Sequence, residues 1–249
     1  MEFEGMTAIV TGATSGIGMA TAKKLAAEGA RVAAVGRKAE VLRTLESPNI
    51  RTYQADLASE TATIEFAAAA VKDLGGVDIL VNAAGIIGMG TVETTTLASY
   101  DAMMNINMRS VFHLTQLLLP SLIERKGNIV NLSSVTGTRA FPGVLAYCIS
   151  KAAMDQFTYC TALELAPKGV RVNAVNPGVV RTGLHLNSGM AADAYEAFLE
   201  KCKTTHPLGR VGTPEEVADL ILFLASAKAG WVTGATIAID GGRAQTCAR

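Results

Sequence analysis

The alternation of short β-branched runs with longer helical patterns restricts the fold of this chain more than any other feature. Seven runs have the length and composition of strands, at residues 8–11, 31–35, 50–54, 79–81, 128–132, 171–175 and 236–239. Helical crossovers between consecutive strands produce right-handed βαβ units, and these give a parallel sheet with helices on both faces. The fourth run reads VDILV and is almost wholly apolar, as expected of a strand buried on both faces. The pattern predicts an α/β, doubly wound fold with a seven-stranded parallel sheet.

The chain is predicted to form a single domain over residues 1–249. Its length fits one α/β domain, 49% of its residues are hydrophobic, and no linker or internal repeat divides it. Pro120 lies inside one of the helical patterns. Because proline lacks a backbone donor and clashes with the preceding turn, we expect a kink or a break there.

Charge and composition argue against several classes of function. Lys+Arg and Asp+Glu both total 22, and this balance does not suit nucleic-acid binding by phosphate neutralisation. The cysteines (148, 160, 202 and 247) and the histidines (113, 185 and 206) show no metal-ligand spacing, so we expect no metal site. The N-terminal MEFEGMTAIVTG lacks the cationic region of a signal peptide, and the apolar runs are too short for a membrane span. A cytoplasmic location is therefore expected.

A glycine-rich turn, TGATSGIG at residues 11–18, separates the first strand from the first helix. In this context backbone N–H groups and a helix N-terminus hold the pyrophosphate of a dinucleotide. Gly12 would allow the tight turn, Gly16 would let phosphates approach the backbone, and Gly18 would let the helix pack against the strand. The spacing GxxxGxG departs from the general GxGxxG pattern, so a purely structural turn is the alternative.

The end of the second strand indicates which dinucleotide binds. An NAD site places a carboxylate there to hold the ribose 2′-OH, whereas this strand ends in AVGRK. The guanidinium of Arg37 can bind a 2′-phosphate that a carboxylate would repel, so NADP(H) is favoured over NAD(H). The alternative is that Arg37 and Lys38 only solvate the start of the next helix. Ser15 weakens the prediction slightly, because a basic residue there would supply a second phosphate contact.

Tyr147 and Lys151 are four residues apart, which places both side chains on one face of a helix. A fixed cation lowers the pKa of a neighbouring phenol. Such a tyrosine can give a proton to an alcohol oxygen or take one from it. On spacing alone, two neighbouring surface residues remain the alternative.

Together these motifs resemble those of the short-chain dehydrogenase/reductase family, in its single-domain branch of about 250 residues. The resemblance runs from Met6 to Gly242 and keeps the order and spacing of the motifs. The motifs are TGATSGIG at 11–18, NAAG at 82–85, NIN at 105–107, NLSS at 131–134, the Tyr147–Lys151 pair, and NPG at 176–178 followed by Thr182. The resemblance implies a Rossmann-type fold and an NADP(H)-dependent oxidoreductase that interconverts a carbonyl and a secondary alcohol by hydride transfer.

The resemblance also assigns catalytic roles to four residues. It implies that Tyr147 is the general acid/base, and that Lys151 lowers the pKa of Tyr147 and binds the nicotinamide ribose. Ser134 would hydrogen-bond the substrate oxygen, and Asn107 would support a water that links Lys151 to solvent. Ser133 is expected to be structural.

Further cofactor contacts are implied after three of the strands. Asp56 and Leu57 would contact adenine. Asn82, Ala83 and Gly85 would line the adenosine ribose side, and residues 177–182 would line the carboxamide side. The full set of cofactor-binding candidates is Gly12, Thr14, Ser15, Gly16, Ile17, Gly18, Arg37, Lys38, Asp56, Leu57, Asn82, Ala83, Gly85, Tyr147, Lys151, Pro177, Gly178, Val180 and Thr182.

Residues 183–207 are expected to form a substrate lid, because they make a long insertion after a cofactor-contacting strand and have a helical centre. The larger apolar residues of this segment either line a pocket or pack the lid helix onto the body; they are Met190, Tyr195, Phe198 and Leu199. His185 and His206 are expected to pack rather than to act in catalysis.

The sequence does not separate three classes of substrate. These are β-ketoacyl thioesters, small dicarbonyls or ketoses, and steroid or other lipid alcohols. Parts of the chain are similar to 3-oxoacyl-carrier-protein reductases and to dicarbonyl and L-xylulose reductases. The alternatives to an NADP(H)-dependent reductase are an NAD(H)-dependent alcohol or hydroxysteroid dehydrogenase of the same family and a catalytically silent NADP-binding sensor.

A homotetramer is the final expectation. The helical patterns around Asn107–Glu124 and Ala152–Ala166 carry wide apolar faces, and the last strand is followed by Gly241 and Gly242. The resemblance implies that these helices and the C-terminal strands build an assembly with two-fold symmetry.

Overall fold

A parallel β-sheet of seven strands organises residues 1–246, the part of the chain that the computed structural model describes. The strands are β1 (Thr7–Thr11), β2 (Arg31–Gly36), β3 (Ile50–Gln54), β4 (Ile79–Asn82), β5 (Asn128–Leu132), β6 (Arg171–Pro177) and β7 (Thr236–Ile239). Their order across the sheet is β3-β2-β1-β4-β5-β6-β7. The predicted fold class is confirmed, and each predicted strand lies within two residues of its observed bounds. Cys247 falls outside the described residues.

Helices connect the strands. They are α1 (Gly16–Ala27), α2 (Ala39–Leu45), α3 (Glu60–Leu74), α4 (Leu97–Met104), α5 (Ser110–Glu124), α6 (Val135–Thr138), α7 (Leu145–Leu165), α8 (Leu184–Asn187), α9 (Ala192–Thr205) and α10 (Pro214–Ala225). A π-helical turn, Asn105–Arg109, joins α4 to α5, and short 3-10 turns follow α7, α10 and β7. Within residues 1–246, no helix combines the length and apolar character that a membrane crossing demands.

Two hydrophobic cores cover the opposite faces of the sheet. On one face, Val10 of β1 packs with residues of α1 and α10 such as Leu25 and Ile221. On the other face, Ile9 packs with residues of α3 and α5 such as Leu118. Consecutive strand residues point to opposite faces, so a strand buried throughout, as β1 is, contributes to both cores.

Pro120 does not break its helix. A kink or a break was predicted here. α5 runs from Ser110 to Glu124 with the proline inside it, so the break is wrong, and the kink stays a prediction. The irregular backbone occurs earlier, in the π-helical turn that immediately precedes α5.

The strand register brings the chemically informative motifs to one edge. Thr11 at the end of β1 pairs with Val35, Asn82 at the end of β4 pairs with Asn131, and Leu132 pairs with Val175. The segments that follow these strands therefore share the carboxyl edge of the sheet. In doubly wound folds this edge is where ligands bind.

Candidate active site

The glycine-rich turn is packed so closely that side chains are excluded from it. Gly12 has φ +66°, and a Cβ on it would lie 2.8 Å from the Ala83 carbonyl oxygen. A Cβ on Gly18 would lie 2.5 Å from the Gly12 carbonyl oxygen, so only glycine lets α1 begin this close to β1. Gly16 has φ +52° and faces the side chain of Thr182. The Ser15 side chain makes no capping hydrogen bond to α1, which leaves the first N–H groups of the helix free for an anion.

A groove of about 420 Å³ opens above this turn. The predicted cofactor residues that line it are Gly12, Thr14, Ser15, Gly16, Ile17, Gly18, Arg37, Lys38, Asp56, Leu57, Ala83, Gly85 and Thr182. The glycine cradle, the uncapped helix N-terminus and the volume of the groove fit a dinucleotide.

Two basic residues line the groove where β2 ends, on the side of β1 away from β4. Arg37 and Lys38 are exposed there, and the Nζ of Lys38 lies 3.5 Å from the Oδ1 of Asn187. Asp56 also lines this end, where its Oδ1 accepts a hydrogen bond from the Ala58 backbone N–H at 3.0 Å. Both basic side chains can therefore reach an anionic group at this end of the groove.

A smaller cavity of about 150 Å³ continues from the groove, since Ala83, Gly85 and Thr182 line both. The predicted residues that line the smaller cavity are Ile17, Ala83, Gly85, Ser134, Tyr147, Lys151, Pro177, Gly178, Val180 and Thr182. α7 places Tyr147 and Lys151 one turn apart, with the Lys151 Nζ 5.7 Å from the centre of the Tyr147 ring. The Lys151 ammonium donates a 2.6 Å hydrogen bond to the Leu132 carbonyl.

Burial shifts the protonation of this pair. It raises the pKa of Tyr147 to about 12, while the neighbouring Ser134 hydroxyl acts to lower it. It lowers the pKa of Lys151 to about 8, and the charge of Asp155 opposes that shift. The protein environment thus favours the neutral phenol, and the pKa lowering that the resemblance assigns to Lys151 stays a prediction.

Asn107 and Asn82 lie behind the cavities and do not line them. The amide of Asn107, in the π-helical turn, accepts from the Ile86 N–H at 2.8 Å and donates to the Ile86 carbonyl at 2.9 Å and to Ser150 at 3.0 Å. Asn82 is buried and donates to Asn131 at 2.9 Å. Asn107 thus braces the loop that contains Gly85, and Asn82 joins the ends of β4 and β5. The water-supporting role predicted for Asn107 stays a prediction.

Several lining residues were not predicted. They include Gly36, Ile86, Ile87, Leu132, Val135, Leu184, His185, Asn187 and Ser188. The isoleucines directly follow the NAAG motif, and the last four belong to the predicted lid. The one sequence signal that could have identified these residues is their position next to a motif. Their residue types alone indicate only core packing or a solvent-exposed loop.

The predicted lid segment contains α8 and α9 and is fastened to the loop after β6. Tyr195 of α9 is buried; its hydroxyl donates to the Thr182 carbonyl at 2.7 Å and accepts from the Thr182 N–H at 3.0 Å. Leu199 is also buried, so these two residues pack the helix onto the body. Phe198 is half-buried, with its ring 4.8 Å from that of His185. A further cavity of about 560 Å³ lies between α1, α9 and α10.

His206 packs, as predicted, and fastens the end of α9. Its Nε2 accepts from the Val179 N–H at 3.1 Å, and its Nδ1 lies 2.7 Å from the Cys202 carbonyl. Within residues 1–246, the structure groups no His, Cys, Asp or Glu side chains in a way that would hold a metal ion.

Comparison with known proteins agrees with this geometry. A family model described as enoyl-(acyl carrier protein) reductase matches residues 12–244. The chain is 39% identical to the 3-oxoacyl-acyl-carrier-protein reductase FabG of Thermotoga maritima, over 97% of this chain and 99% of that protein. It is also 39% identical to carbonyl reductase (NADPH) 2 of Sus scrofa, over 97% of this chain and 98% of that protein.

The similarity extends to L-xylulose reductase and to solved structures. The chain is 39% identical to L-xylulose reductase of Mus musculus, over 96% of each. It superimposes with a TM-score of 0.93 on a short-chain dehydrogenase/reductase from Caenorhabditis elegans that was solved with cofactor, at 34% identity over 99% of this chain and 98% of that one.

Proposed function

This chain belongs to the short-chain dehydrogenase/reductase family, and from that membership we propose that it interconverts a carbonyl and a secondary alcohol with NADP(H). One observation carries the proposal: Ser134, Tyr147 and Lys151 line a cavity that is continuous with the groove above the glycine-rich turn. When bound, the nicotinamide supplies or accepts the hydride. The residues of the chain then have to position the reacting groups and move one proton.

We propose Tyr147 as the group that moves this proton. Its hydroxyl and that of Ser134 donate to the substrate oxygen as negative charge develops on it, and Tyr147 delivers the proton. Lys151 lies one turn away with its pKa lowered to about 8, so it retains much of its charge near neutral pH. That charge favours the phenolate when the reaction runs toward the carbonyl.

The cofactor preference is proposed from Arg37 and Lys38, which are exposed at the end of the groove. A guanidinium forms paired, charge-assisted hydrogen bonds with a phosphate, each stronger than a neutral one. The name of the pig relative, carbonyl reductase (NADPH) 2, is consistent with NADPH for this chain. The names of the relatives point to 3-oxoacyl thioesters and to a ketose as substrate classes to test first.

We further propose that the chain acts as one domain with residues 183–207 as its lid, and that it assembles as a homotetramer. The two hydrogen bonds between Tyr195 and Thr182 support the lid, because they couple α9 to a residue that lines both cavities. Large apolar side chains exposed on α5, α7 and next to β7 support the assembly.

The test measures oxidation of NADPH and NADH against a β-ketoacyl thioester, an α-dicarbonyl, a ketose and a ketosteroid. We expect turnover of at least one carbonyl, with NADPH preferred.

Arg37→Ala should lower kcat/KM for NADPH by roughly 10- to 100-fold, in line with a lost charge-assisted hydrogen bond, and should leave kcat/KM for NADH nearly unchanged. Arg43→Ala, an exposed arginine on α2 that does not line the groove, is the matched control. Failure of every carbonyl would reject the proposed reaction.

A further inference from the structure

Asp155 is a buried acid behind the catalytic pair that the proposed reaction has not so far used. It lies on α7 one turn after Lys151, and its side chain is 4% exposed. A carboxylate removed from water costs several kcal/mol unless hydrogen bonds or an opposite charge compensate it. The groups that contact the Asp155 carboxylate therefore indicate its role.

One amide connects Asp155 to the segment that presents the catalytic serine. The Nδ2 of Asn176, at the end of β6, donates to the two carboxylate oxygens of Asp155 at 3.2 and 3.0 Å. The same Nδ2 donates to the backbone carbonyl of Ser134 at 3.0 Å. Asp155 therefore orients an amide that fixes the backbone of the residue whose hydroxyl faces Tyr147.

The carboxylate is also held tightly against α6. A Cβ on Gly137 would collide with the Oδ2 of Asp155 and would lie 2.9 Å from the Lys151 carbonyl oxygen. The Ser133 hydroxyl donates to that carbonyl at 3.1 Å and lies beside the carboxylate. α6 can approach α7 this closely because position 137 is glycine.

The third partner is the charge of Lys151. Burial lowers the pKa of Lys151, and Asp155 acts in the opposite direction. The other elements packed around this pair contribute neutral groups: the Leu132 carbonyl, the Asn176 amide, the Ser133 and Ser134 hydroxyls, and the Asn107 amide behind them. On α7 itself, the other titratable groups near this pair are Tyr147, beside Lys151, and Cys148, next to Tyr147.

We propose that Asp155 is a positioning residue of the active site, which holds Ser134 through Asn176 and keeps Lys151 cationic through its negative charge. The inference rests on the reductase function proposed above. It assigns a role to an acid that touches neither cavity.

Asp155→Asn tests the charge, because it keeps the shape and one oxygen that can accept from Asn176. Removal of the anion lowers the pKa of Lys151, so the pH profile of kcat/KM, where it follows the charge of Lys151, should move to lower pH. We expect a shift of about one pH unit. Asp155→Ser removes the charge without enlarging the side chain and has to shift the profile in the same direction.

Thr158→Val is the matched control. Thr158 is buried on the same helix, donates to the Met154 carbonyl at 2.9 Å and accepts from Asn131 at 2.9 Å. Loss of its hydroxyl removes two buried hydrogen bonds without changing charge, so the pH profile should stay in place even if stability falls.

A second measurement needs no turnover. Acetylation of Lys151 by acetic anhydride, quantified by peptide mass spectrometry at several pH values, reports the pKa of its amine directly. A lower midpoint in Asp155→Asn than in the wild type is expected, and equal midpoints would overturn the inference. If the wild type reduces no carbonyl while the midpoints differ, the reductase proposal fails and the effect of Asp155 on Lys151 stands.

Discussion

Lys151 and Tyr147 are the two residues whose ordinary chemistry is most altered by the fold. Both are more than nine-tenths buried, and burial disfavours whichever form is charged. The ammonium therefore loses its proton more easily, and the phenol keeps its proton more strongly. Both pKa shifts make the unfolding free energy depend on pH, whether or not the protein turns over a substrate.

The unfolding free energy should rise between about pH 8 and pH 10 because of Lys151. Its pKa is about 8 in the fold against an ordinary 10.5, so in this interval the unfolded chain binds more protons than the folded one. Stability rises with pH wherever the unfolded state binds more protons. At about 1.4 kcal/mol per pKa unit, the rise attributable to Lys151 is up to about 3 kcal/mol.

Urea unfolding of the wild type and of Lys151→Met from pH 7 to pH 10 measures this effect. The variant should lack the component of the rise that belongs to Lys151. The same pH dependence in both proteins would contradict a lowered Lys151 pKa. Above pH 10 the raised pKa of Tyr147 makes the unfolding free energy fall with pH. The measurement therefore ends at pH 10.

Single residues were predictable from sequence where a motif fixes both their type and their place. Ser134, Tyr147 and Lys151 meet in one cavity because β5 and α7 hold them at fixed distances along rigid elements. Ile86 and Leu184 line the same cavity but were not predicted. An isoleucine or leucine has the same pattern whether it faces a core or a ligand, and only the tertiary structure separates the two.

Among the elements, α9 and the loop after β6 are joined into one unit. Tyr195 fastens the first turn of α9 to Thr182, and His206, directly after the helix, fastens its end to Val179. The loop between these points lines the smaller cavity, so a displacement of α9 should displace residues of that cavity.

His206→Phe should loosen this unit. It leaves the Val179 N–H without the acceptor it has in the structure, at a cost of about 1–3 kcal/mol in unfolding free energy. We expect the KM for the cofactor to rise severalfold, with a smaller change in kcat, because the loop is displaced while the catalytic pair is not. His113→Phe, at a half-buried position on α5, is the control. Lower stability with unchanged cofactor affinity would show that His206 supports the scaffold alone.

The secondary structure elements were more predictable than the irregularities between them. Buried β-branched runs between turn residues predict strands well, since burial on both faces leaves few other solutions. Pro120 was expected to kink or break its helix, but α5 continues through it, because the apolar face that includes Leu118 and Leu122 is packed into the core. The π-helical turn at Asn105–Arg109 was not predicted from the sequence.

At the scale of the whole molecule, large apolar side chains remain exposed on the surfaces proposed for assembly. Leu163 on α7 is 79% exposed, Phe112 on α5 is 51% exposed, and Trp231 shortly before β7 is fully exposed. Such side chains mark interaction surfaces when they cluster. Two separate surfaces, one helical and one beside β7, are what a tetramer with two-fold axes uses.

Light scattering at micromolar concentration should give four times the mass of the chain. Leu163→Glu and Trp231→Glu should each remove one interface by burying an unpaired charge, and so leave dimers. Leu97→Glu, at a position that is 82% exposed on α4, should leave the tetramer intact. A wild-type monomer would contradict the proposed assembly.

The central claim is that a hydride passes from the nicotinamide to a carbonyl carbon while Tyr147 delivers the proton. In the most direct test, the protein is incubated with NADPH deuterated at the transferable C4 position and with the carbonyl that the protein reduces fastest. The mass of the alcohol product is then determined by mass spectrometry. We expect one deuterium on the carbinol carbon with the wild type, and a loss of product of at least 100-fold with folded Tyr147→Phe. An alcohol without deuterium, or undiminished product from Tyr147→Phe, would contradict it.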